Sequence, residues 1–211
     1  YIMSTNTSIN QIYKSRKTIL ELLFSSGYNI DDYIDFTVNE VDAMYGSGQL
    51  DMILEHPTTK KKTYVKYSLT TKQVRWQNNL DEIIEDLFII DNTLNKNDDL
   101  IIIINEEPND NLINRLKFIY DSDKIFIVIH NIARLQFNIL YHDLVPKSRI
   151  LNDEEKEDMK KKFNINNDKQ LPEISRFDPV SLALCVRPGN IVEFQRKSIN
   201  SIVSLYYRIC I

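Results

Sequence analysis

Asp51 and Lys66 are the pair in this sequence best placed to do chemistry. They lie on neighbouring runs of strand composition. A D…(D/E)-x-K pattern on such strands lets two carboxylates hold Mg²⁺ while the lysine assists phosphodiester hydrolysis. The second carboxylate belongs two residues before the lysine, and Tyr64 stands there, so a metal would lack a ligand. His56, His130 and His142 are far apart and have no partners in a recognisable pattern. Cys185 and Cys210 sit in apolar runs, which suits buried reduced thiols better than a disulfide or a nucleophile. The sequence carries no phosphate-cradling glycine loop, Cys/His metal spacing or nucleophile elbow. It therefore offers no catalytic residue, no metal site and no cofactor site. Lys60-Lys61-Lys62 has the charge to meet phosphate, but a charged hairpin tip kept in water is the better explanation.

The elements that must position these residues follow from hydrophobic periodicity. Ile12, Ile19, Leu20, Leu22 and Leu23 recur at helical spacing over Asn10 to Leu23, with Lys14, Arg16, Lys17 and Glu21 on the opposite, solvated face and Gly27 ending the helix. A second helix is expected from Asp31 to Tyr45, capped by Asp31 or Asp32. Leu50 to Leu54 and Thr63 to Tyr67 read as a hairpin, and Asn79 to Leu94 as a helix. Leu100 to Ile104 is an apolar run suited to a strand buried on both faces. A helix around Leu112 to Ile119 and a strand at Lys124 to Ile129 then make a parallel crossover. A short helical piece near Ala133 and a strand at Phe137 to Leu140 close this part. Beyond it, Asn152 with Glu155 three residues on is a capping signature for a helix to Lys162.

With 211 residues the chain can bury about 70% of its unfolded surface, enough for one sizeable domain or two modest ones. At 43% hydrophobic and 27% charged residues it is ordinary globular material, and four Gly leave little room for flexible linkers. A formal net charge of −4 argues against a free-standing nucleic-acid binder, because Lys and Arg neutralising phosphate supply non-specific affinity. The apolar runs fall far short of the ~20 residues that span a bilayer. No membrane association is expected, and the setting is intracellular.

The last quarter is the most informative stretch. Gln170-Leu171-Pro172, Asp178-Pro179-Val180, Arg187-Pro188-Gly189-Asn190 and Tyr207-Arg208 follow one another closely. Prolines at 172 and 179 forbid helix across them, which predicts short strands and turns. Pro188-Gly189 fits a tight turn, Ile191, Val192 and Phe194 a strand, and Ser204 to Ile211 its partner. These residues resemble the C-terminal assembly domain of the fifth subunit shared by eukaryotic nuclear RNA polymerases, a family with a counterpart in the archaeal enzyme. The family's QLP, DPV, turn glycine and closing YR stand here at Gln170 to Pro172, Asp178 to Val180, Gly189 and Tyr207-Arg208, and Arg196 and Ser198 also match. Glu173, Ala183 and Ile199-Asn200 depart from the family's Arg, Tyr and Glu-Thr. Tyr13 to Ile19 with Gly27-Tyr28 is similar to the family's opening helix and its exit, and His142 to Pro146 to its hinge.

The resemblance implies a non-catalytic subunit of DNA-directed RNA polymerase. It has an α/β N-terminal jaw domain, residues 1–142, with a small mixed sheet and helices, followed by a small α+β C-terminal assembly domain, residues 143–211. The second would dock on the largest subunit through Leu171, Pro172, Asp178, Pro179, Arg187, Gly189, Arg196, Tyr207 and Arg208. The first would face downstream duplex through the loop holding Pro108, Asn109 and Asn111, only within the complex. Other polymerase subunits are the remaining partners. The site of action is the nucleus in a cell, or the virion or cytoplasmic factory of a large DNA virus. The alternatives are a restriction-nuclease-like protein with a degenerate metal site at Asp51 and Lys66, and an unrelated adaptor.

Overall fold

The computed structural model describes residues 2–69, 76–198 and 201–211, with side chains from residue 9 in the first stretch and from residue 79 in the second. The chain separates into two compact units, Tyr1–Phe137 and Asn138–Ile211. The family departure at Ile199-Asn200 lies outside the described residues. Each unit holds one four-stranded mixed sheet with helices against it.

In the first unit, α1 runs over Ile2–Ser25. Its buried face is wider than the apolar residues alone define, because Ser15, Arg16 and Thr18 are buried beside Ile12, Ile19, Leu20, Leu22 and Leu23. Arg16 thus corrects the expectation of a solvated side chain. Gly27 at φ +90° ends the helix, and the Tyr28 amide returns to the Leu23 carbonyl at 3.0 Å. The expected helix from Asp31 is also corrected. Asp31–Tyr33 is a single 3₁₀ turn, and α2 spans Val38–Ser47. Thr37 with Glu40 forms a capping box there, which starts the helix six residues later than Asp31 would.

Strands β1, Met52–Glu55, and β2, Lys62–Tyr67, make the expected antiparallel hairpin. Helix α3, Trp76–Ile84, continues as π-helix over Glu85–Ile90. Strand β3, Asp99–Ile104, is buried throughout and pairs in parallel with β2 on one side. On the other side it pairs in parallel with β4, Phe126–Asn131, which it reaches through α4, Asp110–Asp123. This is the predicted crossover. The expected strand at Phe137 to Leu140 does not form: the Asn138 side chain accepts from the Leu140 amide and folds Ile139–Tyr141 into a 3₁₀ turn.

In the second unit the sheet order is β5-β7-β8-β6, with β5 at Lys147–Ile150, β6 at Glu173–Ile174, β7 at Ile191–Arg196 and β8 at Ser204–Cys210. Alternation along β7 and β8 gives this sheet two buried faces. On one, Ile191 and Ile209 pack with Leu171, Leu151 and Met159 of α5, Asp153–Lys162. On the other, Val192, Phe194 and Cys210 pack with Ile174 and Val186, covered by Val180 and Leu184. Helix α5 carries the predicted Asn152–Glu155 capping box, with acids in its first turn and lysines in its last, as the helix dipole favours. The reading of Asp178-Pro179 as turn and strand is corrected. Asp178 is extended, as the residue before a proline must be, but Pro179 opens the five-residue helix α6, Pro179–Ala183.

Candidate subunit interface

Register, more than sequence order, assembles the surface of the second unit. Val192 opposes Arg208, Phe194 opposes Tyr206 and Arg196 opposes Ser204, so Arg196, Tyr206 and Arg208 share one sheet face. The Arg196 guanidinium lies 4.7 Å from the centre of the Tyr206 ring, and that of Arg208 lies 5.3 Å from it. Two cations thus flank one aromatic ring. Arg208 also donates to the Glu173 carbonyl at 3.1 Å, which ties the stripe to the edge strand β6. Beyond it, the hairpin tip exposes Ile202 at 93% and Val203. An arginine–tyrosine stripe running into bare aliphatic side chains has the composition of interface cores.

The opposite face carries a polar network. Glu193 is buried, and its two carboxylate oxygens accept separately: Arg149 Nε donates to Oε1 at 2.9 Å and the Tyr207 hydroxyl to Oε2 at 3.1 Å. Arg149 Nη1 reaches Glu155 at 2.7 Å, so β5, β7 and α5 meet at one guanidinium, and Tyr207 of β8 joins them through Glu193. Its hydrogen bonds to Glu155 and then to Glu193 hold the guanidinium above its ordinary pKa. Burial, followed by the bond to Glu193, raises that of the Tyr207 phenol.

The residues expected at the interface divide accordingly. Arg196 and Arg208 fall on the stripe. Tyr207 points to the other face, and Tyr206, which sequence reasoning passed over, takes its place. Alternation along β8 was the signal that could have found it. Leu171 is a core side chain, and the Pro172 carbonyl accepts from the Ile209 amide. Asp178 caps α6 and Pro179 is its first residue. Arg187 to Asn190 form the expected turn, closed by the Asn190 amide on the Arg187 carbonyl at 3.0 Å with Gly189 at φ +89°.

In the first unit, Asn109 caps α4 by accepting from the Leu112 amide at 2.9 Å, while Pro108 is half-buried and Asn111 exposed. Glu107 accepts from Arg134 at 2.8 Å and from Asn131 at 3.0 Å. Lys60 pairs with Glu55 and Lys61 with Asp99. Asp51 is satisfied by the Tyr67 amide at 3.0 Å, the Tyr64 hydroxyl at 3.1 Å and Lys66 Nζ at 3.4 Å. It works as a structural acceptor at the foot of the hairpin. Burial, with Asp51 next, pushes the Tyr64 phenol up to about 12. No three His, Cys, Asp or Glu side chains gather to hold a metal ion among the described residues.

The family described as RNA polymerase Rpb5, C-terminal domain, matches residues 137–210. The DNA-directed RNA polymerase subunit Rpo5 of Thermococcus kodakarensis is 44% identical over 79 residues, 37% of this chain and 95% of the relative. This chain belongs to the Rpb5/Rpo5 family of DNA-directed RNA polymerase subunits. A subunit 5B of the plant polymerases IV and V from Arabidopsis thaliana is 26% identical over 212 residues, 98% of this chain and 93% of its own length. Subunit 5A of polymerase V from the same plant aligns over 92% of this chain at 24% identity. The Rpb5 match covers nearly all of the second unit, including the arginine–tyrosine stripe, whereas likeness along the first unit comes from these long, more distant alignments. The restriction-nuclease-like and adaptor alternatives are not favoured.

Proposed function

We propose that the second unit docks this polymerase subunit on the largest subunit of its enzyme, and that the first unit is the jaw beside incoming downstream duplex. In this reading the chain brings no catalytic residue, metal or cofactor of its own, and templated synthesis belongs to other chains. It acts wherever its polymerase does, in a nucleus or in the virion or factory of a virus. The observation that carries the docking assignment is the coincidence of the Rpb5 match, residues 137–210, with a stripe of exposed Arg196 and half-buried Tyr206 and Arg208 that ends in bare aliphatic residues. Leu171, Pro172, Asp178, Pro179, Arg187 and Gly189 serve the interface indirectly, by holding the sheet and its turns in shape. Supporting the jaw assignment, the loop of Pro108, Asn109 and Asn111 leaves the carboxyl end of the buried strand β3 and opens α4. Contact there with phosphate would run through backbone amides and carry no sequence preference.

Co-expression of the full chain with the largest subunit tests the docking. Central aromatic and arginine side chains are worth about 2 kcal/mol each, so Tyr206→Ala with Arg208→Ala should weaken capture by more than about 100-fold. Unchanged capture by this variant, or capture by residues 1–137 alone, refutes the assignment. A photoreactive group at Asn109 should crosslink downstream template in elongation complexes. Crosslinks from the Lys60 to Lys62 tip instead would move the DNA face to the hairpin.

A further inference from the structure

Arg16 sits on α1 at 2% exposure, and no carboxylate among the described residues pairs with it. Its Nη1 donates to the Leu50 carbonyl at 2.8 Å. Nε and Nη2 have no hydrogen-bond partner among the described residues. Those two nitrogens form one edge of the guanidinium, with parallel N–H bonds at the spacing of the two oxygens of a carboxylate. The Tyr33 and Phe36 rings lie 5.6 and 5.3 Å from the guanidinium carbon. Burial holds the group below its ordinary pKa, with only the Tyr67 and Tyr33 phenols acting the other way. A buried cation without an anion is costly, and apolar replacements at such positions are often neutral or stabilising.

The same side chain lines a cavity of about 340 Å³, with Leu20, Ile30, Phe36 and Val41 among its walls. Tyr13, Arg16, Lys17 and Leu20 fall on one face of α1 by their spacing of three and four. Lys17 and Glu21, one turn apart on the same helix, bring one charge of each sign to the cavity, so the unmatched charge is that of Arg16. Exposed Ile34 extends the apolar wall outward. Phosphate sites gather several cations and hydrogen-bond donors around three or four oxygens. This one gathers a planar fork, two rings and aliphatic walls.

We propose that this cavity receives an Asp or Glu side chain from a peptide segment of a partner protein, the carboxylate seated on the Nε–Nη2 edge of Arg16 and an adjoining apolar residue against Leu20, Ile34 and Val41. Phe36 is the ring that moves to admit it. Tyr33 is pinned, since its hydroxyl both donates to the Ile53 carbonyl and accepts from the Ile53 amide, whereas Phe36 lies on the turn between the 3₁₀ segment and α2. The site stands on the first unit and does not depend on docking through the second.

The test uses the full chain labelled with ¹⁵N, its Arg16 Nε–H resonance assigned by the loss of that signal in Arg16→Lys. The probes are acetylated, amidated tetrapeptides with one Glu or Asp between Leu, Ile or Phe residues, their Gln and Asn counterparts, inorganic phosphate and a short DNA duplex. The acidic peptides should move the resonance and bind at least tenfold more tightly than the amide versions. Arg16→Lys, which keeps the charge without the fork, should lose that preference. Arg16→Met should unfold no earlier than the parent while losing the response. Equal binding of acid and amide peptides, no response to any peptide, or a response confined to phosphate or duplex overturns the proposal. So does an Arg16→Lys protein that stays folded and still prefers the acids.

Discussion

Replacing Arg149 with methionine removes the cation that pairs with the buried Glu193 carboxylate. The Glu193 side chain is 8% exposed and that of Arg149 is 50% exposed. A charge-assisted hydrogen bond contributes about 1.5–3 kcal/mol, and solvent around the half-exposed arginine reduces this to about 1 kcal/mol. Leaving the carboxylate buried with the Tyr207 hydroxyl alone adds a desolvation penalty of about 1 kcal/mol. The sum, about 2 kcal/mol, lowers the melting midpoint of a unit of this size by about 8–16 °C. Glu193→Gln keeps the shape and the acceptor for Tyr207 while removing the stranded charge, so adding it to Arg149→Met should restore about 1 kcal/mol. Calorimetry and urea unfolding of the wild type, both single variants and the double variant close the cycle. An Arg149→Met midpoint within about 0.5 kcal/mol of wild type, or strict additivity in the cycle, refutes the idea that this network holds β5, β7, β8 and α5 together.

Three further expectations test other parts of the structure. Gly189→Ala should cost about 1 kcal/mol for backbone strain alone, because a Cβ there meets nothing within 4 Å. Gly27→Ala should cost more in urea unfolding, since its Cβ would lie 2.8 Å from His56 Nε2 as well as at positive φ. The Cys210 thiol is pushed up to about 11 by burial, with Arg176 opposing, from an ordinary 9.0. A raised folded pKa means that its stabilisation is complete below pH 9 and is lost as pH rises towards about 11. Urea midpoints of wild type and Cys210→Ala should therefore converge in that window, and a thiol reagent at about pH 8 should modify half-buried Cys185 first. Asp51→Asn should lower stability by about 1 kcal/mol and change no DNA cleavage with Mg²⁺; wild-type cleavage abolished by this variant would restore the nuclease reading.

What the sequence made legible was set by local rules, and what it hid depended on register. Leu100 to Ile104 can only be a strand buried on both faces, and Asn152 with Glu155, or Pro188 with Gly189, settles a cap and a turn from neighbouring residues alone. Thr37 with Glu40 was equally local, but the acids at Asp31 and Asp32 competed for the helix start. Periodicity alone assigns charged Arg16 to water, where the fold buries it. Its burial depends on the Leu50 carbonyl and on two rings that the chain supplies 17 and 20 residues later. Tyr206 shares a face with Arg208 by simple alternation, yet Arg196 joins them only through the pairing of β7 with β8, and the closing Tyr-Arg dipeptide points to Tyr207 instead.

The charges of the first unit bear on whether it can bind DNA by itself. Three unpaired lysines at the hairpin tip would make the logarithm of duplex affinity fall with the logarithm of salt at a slope of about −2.7. Lys60 and Lys61 instead face Glu55 and Asp99, and each acid must give up its lysine before a phosphate can take it. One lysine's worth of counterion release remains, a slope of about −0.9. At the α4 loop, Arg134 is likewise engaged by Glu107, and Asp110 occupies the first turn. Neither place projects enough field to draw duplex from solution against a net charge of −4. Fluorescence anisotropy of the isolated chain with a labelled duplex should therefore show weak binding with a shallow salt slope. A slope of about −3, abolished by Lys60→Ala with Lys61→Ala, would mean that these ion pairs open readily and that the hairpin grips DNA by itself. A shallow slope would agree with the proposal that duplex meets the first unit only inside the assembled polymerase.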